Sequence, residues 1–406
     1  MTALPAAFRH RDFRLFWGGG LLSTFGSQFT TVALLWQVYL LTNSALAVGL
    51  LGLARAGPQI LVALFGGLLA DAVDRRRLLM ATQVVQCAVS AGLAALTATG
   101  AVTPGTLYVA SALFALASAL EGPSRAALVP NLVPLADLRS AIAVTSTQRS
   151  AAAVLGPALA GVLLAFAGPA WCYAIDALSW FAMLAALAAL RGLPRVGGGR
   201  RAVSLAALRE GFGFVLAQPV ILSFMALDFG ATFFGSSRAL LPVYARDILH
   251  VGATGLGLLY AAASVGALLA AGVVGVLPGR ERAGRWVLLG VVLYGVAMVA
   301  FALSRHFWLS LLMLGLTGAG DTISSVLRGM ANQLLAPDAV RGRVAAVNSM
   351  FVIGGPQLGQ FESGVVAGLW GAEVSALTGG LGALLVVLAI ALVPGVRHFR
   401  LSDERE

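Results

Sequence analysis

The chain has 406 residues, of which 59% are hydrophobic and only 11% charged, and its mean hydropathy is +0.90. A water-soluble domain carries about a quarter charged residues, so this composition excludes one and points to the bilayer as solvent. The net charge of +10 comes from arginine alone, because no lysine occurs. In a soluble chain that excess would suggest nucleic acid. Here the arginines gather at the ends of apolar runs, where they set membrane orientation, and no nucleic-acid partner is expected.

In chain order, Arg9, His10, Arg11 and Arg14 precede the first apolar run, and no small-residue cleavage site follows a short apolar core. That pattern is not a removable signal peptide. A span needs about 20 apolar residues. Six predicted spans lie near 14–40, 46–70, 78–99, 105–131, 139–167 and 170–191. Six more lie near 219–246, 254–277, 285–303, 307–335, 342–369 and 373–394. The expected architecture is an all-α membrane protein of twelve transmembrane helices in two six-helix halves, 1–191 and 218–406. The segment 192–217 joins them, with Gly197-Gly198-Gly199-Arg200-Arg201 as its most polar part. Its later portion predicts a short helix on the membrane surface, capped by Ser204.

Arg75 to Arg77, Arg139, the arginines from Arg191 to Arg209, Arg280, Arg282, Arg285, Arg341 and Arg343 fall on one set of loops; the opposite loops hold only Arg246 and Arg305. Positive residues stay inside, so both termini and the linker are expected in the cytoplasm. Cys87 and Cys172 sit in separate apolar runs, and His10, His250, His306 and His398 fall near termini or loops. Neither set has the spacing of a metal site or disulfide framework, and no metal or cofactor is expected.

The halves repeat one another. Ser124-Arg125-Ala-Ala-Leu-Val-Pro-Asn-Leu-Val-Pro134 recurs half a chain later as Leu327-Arg328-Gly-Met-Ala-Asn-Gln-Leu-Leu-Ala-Pro337. Arg139 to Ser146 is echoed by Arg341 to Ser349, and Gly156-Pro157 by Gly355-Pro356. Parallel repeats of this kind put a transport site at mid-membrane between the halves.

Gly67-Leu-Leu-Ala-Asp71-Ala-Val-Asp74-Arg75-Arg76-Arg77 resembles the major facilitator signature G-x-x-x-D-x-x-G-R-R, with Asp74 in place of the glycine of its turn. A degenerate counterpart runs from Gly275 to Arg285. In that superfamily the aspartate latches the cytoplasmic side against a helix N-terminus, whose partial positive charge favours an anion. The resemblance therefore assigns Asp71, Arg75 and Arg76 to a cytoplasmic gate. Ala152-Ala-Val-Leu-Gly156-Pro157-Ala-Leu-Ala160-Gly161 resembles the antiporter motif G-x-x-x-G-P-x-x-G-G, alanine replacing two glycines. Small residues allow close helix approach, and Pro157 is expected to kink the span. Glu121-Gly-Pro-Ser-Arg-Ala-Ala-Leu-Val-Pro, Pro337-Asp-Ala-Val-Arg-Gly-Arg and Leu358-Gly-Gln-Phe-Glu-Ser-Gly364 are similar to the branch of enterobactin exporters and macrolide efflux proteins. The resemblance covers nearly the whole chain. It implies a monomeric, multi-pass exporter of the bacterial inner membrane.

Charges inside spans are costly and mark function. Asp228 shares a helical face with Thr232 and Gly235 and is the first candidate proton carrier, against an ion pair with an arginine. Asp321 shares a face with Thr317, Ser324 and Arg328 and stands where the first half has Ser118; it is the second candidate. Glu121 and Arg125, four apart, predict an intrahelical pair and are assigned with Arg328 and Arg341 to the cytoplasmic gate. Asp176 and Glu362 lie towards outer ends, where water is expected to reach them. Arg55 and Arg149 lie deeper and present planar forks to an anionic or catechol-bearing substrate, unless they pair with buried carboxylates. Ser27, Thr30 and Gln37, in line with Ser23, form a polar stripe expected to line a wet cavity, with helix–helix contact as the competing reading.

These residues suggest proton-coupled export of a small molecule by alternating access. A catecholate siderophore is the leading cargo and a hydrophobic drug or macrolide the alternative. A membrane-embedded enzyme would need convergent nucleophile, base or metal ligands, and no such cluster falls inside the spans. A non-transporting sensor would not require buried charges in both halves.

Overall fold

A computed structural model describes residues 5–72, 74–191, 205–274, 283–338 and 340–400, without the side chains of 63–72, 75, 205–208 and 394. Gly197 to Arg201, Ser204, Arg280 and Arg282 lie outside the described residues, as do the side chains of Asp71 and Arg75. The described residues are almost wholly helical. The first half comprises α1 (Arg11–Thr42), α2 (Ala45–Ala72), α3 (Arg75–Ala98), α4 (Pro104–Leu128), α5 (Leu138–Ala167) and α6 (Pro169–Ala189). A short α7 (Leu205–Ala217) follows, bent by 104° from α8 (Pro219–Phe234). Then come α9 (Leu241–Val243), a π-helical turn (Tyr244–Ile248), α10 (Gly252–Val274), α11 (Ala283–Leu303), α12 (Phe307–Leu335), α13 (Arg341–Trp370), α14 (Ala372–Ala391) and α15 (Pro394–Arg397).

Among the described residues, nine helices are long and apolar enough to cross a membrane unaided: α2 to α6, α10 to α12, and α14. Three predicted spans are weaker, each for a visible reason. α1 and α13 have 32 and 30 residues, but polar stripes such as Ser23, Thr24, Ser27, Gln28 and Thr30 lower their hydropathy. α8 has only 16 residues, because its span breaks after Phe234 and resumes at Leu241.

By their internal contacts the residues fall into two compact units: Met1–Thr42 with Gly57–Ala202, and Asn43–Ala56 with Val203–Glu406. The start of α2 thus belongs to unit 2. Unit 1 has a core of Phe13, Phe16, Leu79, Leu128, Met183 and Leu187. Unit 2 buries Phe224, Leu227, Val287, Val291 and Leu327.

Local chemistry sets the turns. Thr103 caps α4 in a reciprocal pair with Thr106, ahead of Pro104 at the first helical position. Asp74, expected to disturb a glycine turn, has φ −55° and instead caps α3, accepting from the amides of Arg76 and Arg77 at 2.8 and 3.2 Å. A carboxylate at a helix N-terminus is favourable, which explains the replaced glycine. The sharp turn from α5 to α6 uses Gly168 at φ +78°, and its repeat from α13 to α14 uses Gly371 at φ +91°, a region in which only glycine is unstrained.

Candidate functional site

In unit 1 the polar residues meet where α1, α3, α4 and α6 pack. Glu121 and Arg125 form the expected intrahelical pair at 2.7 Å. The pair is tied outward: Gln86 donates to the other Glu121 oxygen at 2.8 Å, and Arg125 donates to Ser23 Oγ at 3.2 Å. Arg76 donates to the carbonyls of Leu187 and Ala188 at 2.7 and 3.2 Å. Those carbonyls end α6, where partial negative charge collects and a cation is favoured.

Thr30 and Gln37 do not line open space. Thr30 donates to Asp176 Oδ2 at 2.7 Å; Gln37 accepts from Tyr173 at 2.8 Å and donates to Thr97 at 3.2 Å. Both are buried in helix seams, so the competing helix–helix reading describes them. Ser27 is half-buried and bonds to its own helix at the Thr24 carbonyl. Arg149, expected deep in its span, is exposed on unit 1 and forms no ion pair among the described residues. The face of α5 that turns inward carries Ala141, Gln148 and Ala152 instead.

Asp176 departs most from expectation. It is fully buried, not reached by water. Ser90 of α3 donates to its Oδ2 at 2.5 Å alongside Thr30 of α1, while its Oδ1 is buried without a partner. The available signal was helical register: Cys172, Asp176, Ser179 and Met183 share one face of α6, and all four are buried.

Unit 2 places the matching arginine differently. Arg328 of α12 forms a buried ion pair with Asp228 of α8 and donates to Ser324 at 2.8 Å. Asp321, two turns earlier on α12, has Oδ1 4.0 Å from the same guanidinium, and 47% of its side chain is exposed. Asp228 and Asp321 therefore converge on a single cation, and Asp228 Oδ2 is buried without a partner. Arg341 pairs locally with Asp338 at 2.5 Å on the surface. Glu362 is half-buried and, with Thr378, is a polar residue in the mainly apolar wall of an open cavity of about 840 Å³ between α8, α13 and α14. Arg55 lies in unit 2, electrostatically beside Arg238 and Tyr260.

The motif glycines act alike in both units. A Cβ at Gly156 would stand 2.6 Å from Gln28 of α1, and one at Gly355 would collide with Thr232 of α8. In each half the glycine before proline lets the fifth helix approach the first. α5 continues to Ala167 through Pro157, and α13 to Trp370 through Pro356.

Comparison with known proteins agrees. The transmembrane secretion effector family matches residues 2–405. The enterobactin exporter EntS of Escherichia coli K12 is 28% identical over 397 residues, spanning 96% of this chain and 94% of that protein. EntS of Citrobacter koseri is 30% identical over 398 residues, with the same coverage. Among solved structures, a POT family transporter in complex with 5-aminolevulinic acid superposes with a TM-score of 0.75 at 13% identity, covering 95% of this chain and 97% of that one. A D-xylose–proton symporter gives 0.71 at 14%, covering 96% and 98%. These likenesses extend over entire transporters of the major facilitator fold. The chain belongs to the transmembrane secretion effector family and is a multi-pass membrane transporter of small molecules, not an enzyme.

Proposed function

We propose that the protein exports a catecholate siderophore from the cytoplasm across the bacterial inner membrane, in exchange for protons. Similarity to enterobactin exporters along nearly the whole chain carries the choice of cargo. Both termini lie in the cytoplasm, as the arginine asymmetry suggests. The protein works as a monomer whose six-helix halves alternate access to a central site. Asp71, Arg75, Arg76, Glu121, Arg125 and Arg341 serve the cytoplasmic gate. Arg55 and Arg149 contact the anionic cargo.

The Arg328 cluster supports proton coupling. One guanidinium faces two carboxylates, so the ionised cluster carries one uncompensated negative charge. A single proton bound by the cluster would neutralise it. Export would then alternate between the protonated and ionised clusters. Deleting the gene and assaying spent medium under iron starvation tests the cargo. Accumulation of siderophore inside the cells, reversed by the native gene, is expected; unchanged release would remove the siderophore reading.

A further inference from the structure

The seventh span is broken, and the break is built. Between Phe234 and Leu241 the backbone leaves the helix. Peptide groups freed inside a membrane protein need other partners. Here side chains from three different helices supply them. Tyr294 of α11 donates to the Gly235 carbonyl at 2.5 Å, Ser363 of α13 to Ser236 at 2.6 Å, and Tyr260 of α10 to Arg238 at 2.8 Å. The span then resumes through a π-helical turn at Tyr244–Ile248, a geometry frequent at functional sites. Discontinuous spans are where transporters hold their ligands.

The break brings exposed Arg238 to the side of the unit where Arg55 of α2 lies. Ser236 donates to the Pro356 carbonyl of α13 at 3.5 Å, the next carbonyl of α13, Gln357, packs against Gly52 of α2, and Tyr260 holds the Arg238 carbonyl, so that Arg55, Arg238 and Tyr260 are electrostatic neighbours. Five other arginines of unit 2 have carboxylates: Arg246 has Asp247, Arg305 has Glu373, Arg328 has Asp228, Arg341 has Asp338 and Arg343 has Glu210. Among the described residues no carboxylate pairs with Arg55 or Arg238. Arg55 Nε is buried with no acceptor. Two neighbouring guanidinium groups without a counter-charge repel one another. Close by, Gln357 of α13, whose backbone carbonyl packs against Gly52 one turn before Arg55, leaves its Oε1 buried without a donor. Unmatched donors and an unmatched acceptor thus share one region of unit 2.

We propose that Arg55 and Arg238 form an anion-binding site for a small organic ligand that carries a planar oxyanion and a hydroxyl group. Each fork can bind two oxygens of a carboxylate or a catecholate at once. Gln357 accepts from the hydroxyl. Tyr260 acts as a positioning residue, since its hydroxyl is committed to the Arg238 carbonyl. The inference rests on the transporter reading and names Arg238, Tyr260 and Gln357 as new parts of its site, but it does not depend on a siderophore being the cargo.

Calorimetric titration of the full chain in nanodiscs tests it, with 2,3-dihydroxybenzoate as probe and benzoate and catechol as separate arms. Binding of 2,3-dihydroxybenzoate is expected to weaken by about tenfold or more in Arg238→Gln and in Arg55→Gln, and to stay unchanged in Arg305→Gln. Retained affinity for benzoate identifies the carboxylate as the recognised group, and retained affinity for catechol the catecholate. Should Arg238→Gln not fold, Arg55→Gln gives the same reading. Failure of all three probes to bind the native chain, or binding indifferent to both arginine substitutions, would overturn the site. Probe binding with unchanged siderophore release would keep the site and remove the cargo; lost release without probe binding would do the reverse.

Discussion

Arg125 and Arg328 occupy the same place in the repeat, yet they are held differently. Arg125 finds its acid on its own helix, at Glu121, and 22% of the arginine side chain is exposed. Arg328 has serine at the corresponding position and finds its acid across a helix seam, at Asp228, with 5% of the arginine exposed. The first pair can form within an isolated helix. The second exists only when α8 and α12 pack, and it carries Asp321 as an additional acid. The repeat thus carries the cation at matching positions in both halves but the anion at different ones. The half with the interhelical pair gained a cluster whose net charge one proton can change.

The largest expected effect follows from that difference. Arg328→Met leaves Asp228 buried without its counter-charge, and breaking a buried pair from one side costs about 3–5 kcal/mol. Arg125→Met should cost less, because Glu121 keeps the hydrogen bond from Gln86 whereas Asp228 Oδ2 has no partner to fall back on. Denaturant or thermal unfolding in detergent compares the two; equal losses would dissolve the contrast. Next come the shared glycines. Gly156→Leu and Gly355→Leu should each cost about 1–3 kcal/mol by overpacking, and their similarity would show that the packing of the repeat is common to both halves. Asp321→Asn should barely alter stability, by less than about 1 kcal/mol for a half-exposed charge 4.0 Å from its partner, while reducing pH-driven transport. The smallest expected effect is the cap: Asp74→Ala should cost about 1 kcal/mol, read as a shift in the unfolding midpoint.

Much of this was legible in the sequence, because apolar run length, arginine placement and the repeat are local properties. The repeated Gly-Pro sites and the Glu121–Arg125 pair belong to that class. What was not legible depends on which face a polar residue turns towards a neighbour. Thr30 and Asp176 lie on different helices far apart in sequence, and only packing joins them. Asp176 looked solvated because it stands near a helix end, whereas α1 and α3 cover it. Arg149 looked deep by position along α5, yet its side chain lies on the exposed face. The break in the seventh span falls at Gly235-Ser-Ser-Arg-Ala-Leu240, a polar stretch short enough to be passed over between the apolar runs on either side; the hydroxyls that satisfy its carbonyls come from α10, α11 and α13.

The most direct test reconstitutes the purified chain in liposomes and follows a catecholate siderophore under an imposed proton gradient. Flux should rise with the gradient, collapse when the gradient is dissipated, and lose its dependence on the gradient in Asp228→Asn. Flux that ignores the gradient and survives Asp228→Asn would contradict a proton-coupled exporter built on the Arg328 cluster.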